Sequence, residues 1–259
     1  MADSVLPILM YHGLYADAEG EGVRDPVYSV DPTAFARQLD WLAEHGFRTL
    51  RLRDLEGNGE PPPRSIVITF DDGDISNAQV ALPQLAARDM VAEFFVTADF
   101  VGRRDRLSPA DLRHLVASGM GVQSHGYSHS YLDDLREQDL EAELVQSKAW
   151  IEAVIEQPVN ALALPGGRGG ERVRAAALAA GYRWLLGSEP GDNHDVRQGQ
   201  YLQRLAITRG MSLPAFAELV EWHGMLPRAM QARYQVLARM KRLVGNARYE
   251  RMRALMLGR

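Results

Sequence analysis

The chain has 259 residues, 46% hydrophobic and 24% charged, a soluble globular balance that excludes a disordered or fibrous polymer and leaves room for one large barrel or two ordinary domains. Its 29 Lys and Arg against 34 Asp and Glu give a formal net charge of -5, which argues against a general nucleic-acid binder. Cysteine is absent, so a disulfide scaffold, a thiol nucleophile and a Cys-ligated metal are excluded, and any metal must rest on His and carboxylates.

In chain order, the opening segment lacks a basic stretch, and its short apolar run is broken by Pro7. No apolar run approaches the ~20 residues that span a bilayer. The expectation is a soluble, cytoplasmic protein, or an exported one if a leader has been removed. Short apolar runs predict strands at 7–10, 65–70, 91–97, 121–124, 161–164, 184–187 and 202–207. Several lack polar alternation, as strands buried on both faces do. Asp31-Pro32-Thr33 opens a helix that Gly46 closes, and Pro61-Pro62-Pro63 marks a stiff loop before the second strand. Ser108-Pro109-Ala110-Asp111 opens another helix, ended by Gly119; further helices are expected at 139–157 and 171–180, the last stopped by Gly181. This strand–helix rhythm predicts a mainly parallel α/β sheet, as a barrel or doubly wound, over residues 1–213 with a helical extension at 214–259.

Two motifs carry chemistry. Thr69-Phe70-Asp71-Asp72-Gly73 places adjacent carboxylates at the C-terminal end of a buried strand, where barrel active sites collect, with Gly73 free to turn sharply. A plain strand-to-loop turn with solvated acids is the alternative. Ser124-His125-Gly126-Tyr127-Ser128-His129 follows another strand, and the spacing of His125 and His129 aims two imidazoles at one point on a helical turn, unless both are ordinary loop histidines. Together, two His and one carboxylate form a three-ligand set with an open fourth position, and a second carboxylate stands by as base. That combination suits hydrolysis, since a bound ion lowers the pKa of water to roughly 7 and polarises a carbonyl.

These two stretches resemble the first two motifs of the polysaccharide deacetylases, the NodB-like carbohydrate esterase family 4. The resemblance implies a distorted (β/α)7 barrel, with Asp71 as catalytic base and Asp72, His125 and His129 binding zinc, or cobalt or nickel in its place. Pro165-Gly166-Gly167 looks like the third motif, in which a backbone N–H, here that of Gly166, stabilises the oxyanion; an ordinary Pro-Gly turn is the alternative. Pro165, Gly167 and Arg168 are then substrate-side residues. Two departures from the family stand out. Its Arg is absent before Pro165, where Arg168 is the substitute, and Gly126 stands where Ser or Thr is common.

The family's C-terminal His is also missing from Leu205-Ala206-Ile207-Thr208-Arg209. The opening Ile8-Leu9-Met10-Tyr11-His12-Gly13 instead resembles the circularly permuted poly-N-acetylglucosamine deacetylases, which implies His12 as general acid. A structural His at the barrel mouth is the alternative. His45 and His114 read as solvated helix residues, His194 as a loop residue near the cleft and His223 as packing.

The expected activity is removal of N-acetyl groups from an amino sugar, N-acetylglucosamine in a glycan or glycan precursor. De-O-acetylation, deformylation and a catalytically silent saccharide-binding role are the rivals. From Leu226 on, nine basic residues face one acid, Glu250, with apolar residues at helical spacing. This segment fits a helix packed across the acidic barrel, or peripheral contact with an anionic membrane.

Overall fold

The computed structural model describes residues 5–244 except 18, 21, 24, 57–59, 195 and 197–200, with the backbone alone for 237–244. The basic residues Arg239, Lys241, Arg242, Arg248, Arg251, Arg253 and Arg259 of the tail therefore lie outside the described side chains.

Among the described residues, nine strands are formed: β1 (Ile8–Tyr11), β2 (Arg48–Thr49), β3 (Ser65–Phe70), β4 (Glu93–Val96), β5 (Gly121–Ser124), β6 (Ala161–Ala163), β7 (Trp184–Leu186), β8 (Tyr201–Leu202) and β9 (Leu205–Ala206). All pair in parallel, in the order β8-β7-β6-β5-β4-β3-β1-β9, with the short β2 beside β3. The two ends of this order, β8 and β9, are separated in the chain only by Gln203 and Arg204, a span of roughly 10 Å at most. The sheet must therefore curl until its edges nearly meet, which makes it the distorted barrel expected. The single strand predicted at 202–207 is instead two short strands, β8 and β9, on different neighbours: Gly187 N donates to Leu202 O at 2.9 Å, and Ile207 N to Met10 O at 3.0 Å.

Among the described residues, seven α-helices accompany the sheet: α1 (Pro32–Glu44), α2 (Leu82–Ala86), α3 (Pro109–Ala117), α4 (Glu137–Ile155), α5 (Glu171–Ala179), α6 (Leu213–Val220) and α7 (Leu226–Val244). Their ends follow local chemistry. The Asp31 carboxylate accepts from Thr33 N and Ala34 N at 2.8 and 3.2 Å, and Ser108 and Asp111 form a reciprocal capping box on α3. Helix α6 begins at Leu213, and its Phe216, Leu219 and Val220 lie buried in the larger apolar cluster.

Strand alternation divides the core in two. Leu9, Tyr11, Ile66, Ile68, Phe70, Phe94 and Val122 face outward to the helices, whereas Ile8, Val67, Phe95, Ala161, Ala163, Trp184 and Leu186 fill the barrel interior. Continuing the inward parity past the strand ends brings Asp71, His12 and His125 to the interior at the C-terminal rim. The fold thus collects its candidate chemistry on one face.

Candidate metal and catalytic site

Adjacent residues on a strand point to opposite faces, so Asp71 and Asp72 need a reversal to share a cavity. It occurs at Asp72 itself, which adopts a left-handed φ of 72°, followed by Gly73 at 67°. A Cβ on Gly73 would come within 3.2 Å of Val96, so glycine serves both the turn and its packing.

Asp71 is buried and held from both sides. Its backbone N donates to Tyr11 O, and Arg204 donates to both carboxylate oxygens, Nη1 to Oδ1 at 2.7 Å and Nη2 to Oδ2 at 2.8 Å. The remaining guanidinium bonds go to Thr69 Oγ1 and, from Nε, to Gly187 O at 2.7 Å. Burial pushes the Asp71 carboxyl up, but the charges of Arg204 and His125 outweigh it and leave its pKa below the usual range. The arginine that holds Asp71 is therefore Arg204, at the barrel seam, which corrects the expectation that Arg168 would do so. Arg168 instead lies 4.3 Å over the Tyr131 ring.

Asp72, His125 and His129 converge, each offering a ligand atom within 4.8 Å of the others. Asp72 Oδ1 is 3.4 Å from His125 Nε2 and 3.3 Å from His129 Nε2. His125 Nδ1 sits 2.8 Å from the Ala163 carbonyl, which can only accept, so Nδ1 carries a hydrogen and Nε2 is the atom turned toward the carboxylate. An imidazole nitrogen and a carboxylate oxygen this close need a cation between them, a proton or a metal ion, and Asp72 Oδ1 is buried with no hydrogen-bond partner among the described residues. Burial pushes the Asp72 carboxyl up, yet the two facing imidazoles hold it well below the usual range. Two nitrogens and one oxygen suit zinc or a similar divalent ion.

The two histidines do not sit on a helical turn, as their spacing suggested. Residues 125–129 form a loop in which Gly126 (φ 80°) and His129 (φ 66°) are left-handed. Glu143 of α4 clamps this loop: its Oε1 accepts from Tyr127 N at 2.9 Å and Ser128 N at 2.6 Å, and Ser128 Oγ adds a third donor. The left-handed backbone also accounts for glycine at 126, where a Cβ would lie 3.1 Å from Glu143 Oε1.

His12 lies just past β1, half-buried, with its ring stacked on Tyr28 at 4.8 Å between centroids. Asn77, in the single π-turn Asn77–Ala81, donates from Nδ2 to the His12 carbonyl at 2.9 Å. Burial lowers the imidazole pKa, and the carboxylates of Asp72 and Asp71 offset part of that. His12, Tyr28 and Asp72 border one cleft together with Tyr15, Asp74 and Arg106.

Pro165, Gly166 and Gly167 form a short turn after β6, with Gly166 and Gly167 at φ 63° and 67°. A Cβ at Gly166 would meet the Tyr131 ring at 2.5 Å. The remaining histidines stand away from this group. His45 is exposed, its ring stacked on Trp41; His114 is exposed; His194 pairs with Asp192 at 2.6 Å. His223, expected to pack, is exposed and lies 3.8 Å from Glu221.

Sequence reasoning missed Arg204, Glu143 and Asn77. Arg204 was legible only as a charge inside an apolar run between Leu202 and Leu205, a position that a buried strand rarely gives to an unpaired ion.

A polysaccharide deacetylase family model matches residues 58–185. The protein YxkH of Bacillus subtilis (strain 168), named for that family, is 31% identical over 222 residues, 83% of this chain and 76% of its own length. The poly-beta-1,6-N-acetyl-D-glucosamine N-deacetylase of Staphylococcus aureus (strain MSSA476) is 30% identical over 101 residues, 36% of this chain and 35% of that protein. Among solved structures, the Streptococcus pyogenes deacetylase PplD in complex with acetate shares the fold, with a TM-score of 0.76, 24% identity and coverage of 85% of this chain and 99% of that one. With the match to YxkH spanning most of both chains, this chain belongs to the polysaccharide deacetylase family.

Proposed function

We propose that this chain is a cation-dependent N-deacetylase acting on N-acetylglucosamine residues of a glycan. The observation that carries the reading is the pairing, within one rim, of a three-ligand cation site with an ionised, doubly anchored carboxylate beside it.

Asp72, His125 and His129 would hold a divalent ion, with zinc the best match to the donor set and cobalt or nickel alternatives. Such an ion, when bound, polarises the acetamido carbonyl and lowers the pKa of a nearby water toward about 7. The protein's own residues do the rest. Asp71, kept ionised and fixed in direction by Arg204, takes a proton from the attacking water. As the water oxygen bonds to the carbonyl carbon, negative charge collects on the former carbonyl oxygen, and the Gly166 N–H would receive it. The carbon–nitrogen bond then breaks, His12 gives a proton to the departing amine, and acetate leaves. Pro165, Gly167 and Arg168 would line the substrate side of the Gly166 turn.

The N-acetyl reading is supported by the relative named poly-beta-1,6-N-acetyl-D-glucosamine N-deacetylase and by the assignment of His12 as proton donor. The test is acetate release from a β-1,6-linked N-acetylglucosamine pentamer by zinc-loaded protein. Turnover by the wild type and its loss in Asp71→Asn support the reading. No release by the wild type, or full activity in Asp71→Asn, overturns it.

A further inference from the structure

The stretch from Asp71 to Asn77 holds more than the base and one ligand. Past Gly73 it runs against the loop that follows β1 and carries His12. Asn77 Nδ2 donates to the His12 carbonyl at 2.9 Å, Leu14 N donates to Ser76 Oγ at 2.9 Å, and the Tyr15 hydroxyl donates to Asp74 Oδ1 at 2.8 Å. Asp74 Oδ1 also accepts from Ser76 N and Oγ, at 2.9 and 2.5 Å, so the cradle is braced within itself. Asp74, Ser76 and Asn77 are all buried. On the far side of the loop, Val30 N donates to Gly13 O and Tyr15 N to Val30 O, at 3.1 and 2.9 Å.

Asn77 heads the π-turn that precedes α2, closed by Leu82 N donating to Asn77 O. The extra residue in such a turn rotates Asn77 by about 100° from the register of α2. Asn77 can then face the His12 loop while Leu82 and Leu85 stay in the core. Its Oδ1 is buried with no hydrogen-bond partner among the described residues, a cost to stability that an apolar side chain would avoid. The imidazole of His12 is poorly tied as well, since its Nδ1 is buried without a partner among the described residues. The ring is held by its stack on Tyr28 and by the backbone that Asn77 grips.

We propose that Asn77 is a positioning residue for the proton donor: by holding the His12 carbonyl it sets where the imidazole stands relative to the leaving nitrogen, with Ser76 and Asp74 supporting the same loop through Leu14 and Tyr15. This rests on the function proposed above. Base, ligand and donor are then located by one continuous stretch of chain. A displaced donor slows only a reaction that needs its proton, so the loss falls on kcat for an amide and spares an ester whose leaving group departs as an anion. A merely structural contact would lower the melting temperature and depress both reactions alike.

The experiment uses the full zinc-loaded chain with two substrates, the β-1,6-linked N-acetylglucosamine pentamer and 4-nitrophenyl acetate. It compares wild type, Asn77→Leu, Ser76→Ala, His12→Gln and the double variant of His12→Gln with Asn77→Leu. Asn77→Leu keeps the bulk of the side chain and deletes the donor. The expected result is a pentamer kcat lowered about fivefold to twentyfold in Asn77→Leu and about twofold to fivefold in Ser76→Ala, with KM within about twofold and ester hydrolysis lowered less than about twofold. Added to His12→Gln, Asn77→Leu should bring no further loss, because it acts only through His12. An unchanged pentamer kcat in Asn77→Leu overturns the role, as do equal losses on both substrates or a further loss in the double variant. If Asn77→Leu does not fold, Ser76→Ala decides by the same comparison of substrates. A wild type inactive on the pentamer overturns the proposed function and this role with it, whereas an active wild type with an undiminished Asn77→Leu overturns this role only.

Discussion

Arg204 grips both oxygens of Asp71 across 133 residues of chain, with neither side chain open to solvent. The pair lies where the sheet edges meet, so the same residue closes the barrel interior and fixes the direction of the carboxylate proposed as base. Removing the guanidinium leaves a buried, uncompensated carboxylate, a loss of about 3–5 kcal/mol. Arg204→Met should therefore unfold at markedly lower urea concentration and lose acetate release. Adding Asp71→Asn to it should recover most of the stability and none of the activity. Recovery of activity in the double variant would contradict the assignment of Asp71.

The proton donor makes a distinct prediction. A leaving amine needs a proton, whereas the phenolate of 4-nitrophenyl acetate does not. His12→Gln should lower kcat on the N-acetylated pentamer by about 100-fold or more, and ester hydrolysis by less than tenfold. Equal losses on both substrates would assign His12 to structure, through its stack on Tyr28.

Much of this was legible in the sequence, and the gaps have physical causes. The Asp71-Asp72-Gly73 and His125–His129 stretches announced themselves because the ligand types and the turn glycine are local in the chain. Their geometry was less legible. The histidines meet through two left-handed residues and a clamp from Glu143, which lies 15 residues beyond Ser128, and no local spacing encodes such a clamp. Arg204 escaped for the same reason on a longer scale, since only barrel closure brings the seam to Asp71. The guess that placed Arg168 there followed nearness in sequence, which the fold does not respect.

The Glu143 clamp should tune affinity for the ion. Glu143→Ala deletes the acceptor for two backbone N–H groups and frees the His129 loop. Zinc affinity, measured by calorimetric competition with a chelator, should fall about 10- to 100-fold with the fold retained. Unchanged affinity would remove Glu143 from the site's support.

Stability should carry a pH signature from the opposite end of the barrel. Glu93 is buried at the start of β4, with Oε1 accepting from Leu52 N at 2.7 Å, and burial raises its pKa from 4.5 to about 7. The folded chain thus keeps a proton that the unfolded chain releases between these two values. This contribution is complete below about pH 4.5 and is lost as pH rises through about 7. Glu93→Gln should match the wild type near pH 4.5 and exceed it at pH 8, by up to about 3 kcal/mol in urea unfolding. A difference independent of pH would contradict the buried, protonated carboxyl.

The central claim, a cation site built by Asp72, His125 and His129 beside a base that is not itself a ligand, is met most directly by zinc stoichiometry. Metal-free wild type, Asp71→Asn, Asp72→Ala and His129→Ala would be loaded with zinc, desalted and analysed for bound metal. The account predicts about one zinc per chain in the wild type and in Asp71→Asn, with loss in the other two. A wild type that retains no zinc, or an Asp72→Ala that retains it fully, would contradict the account.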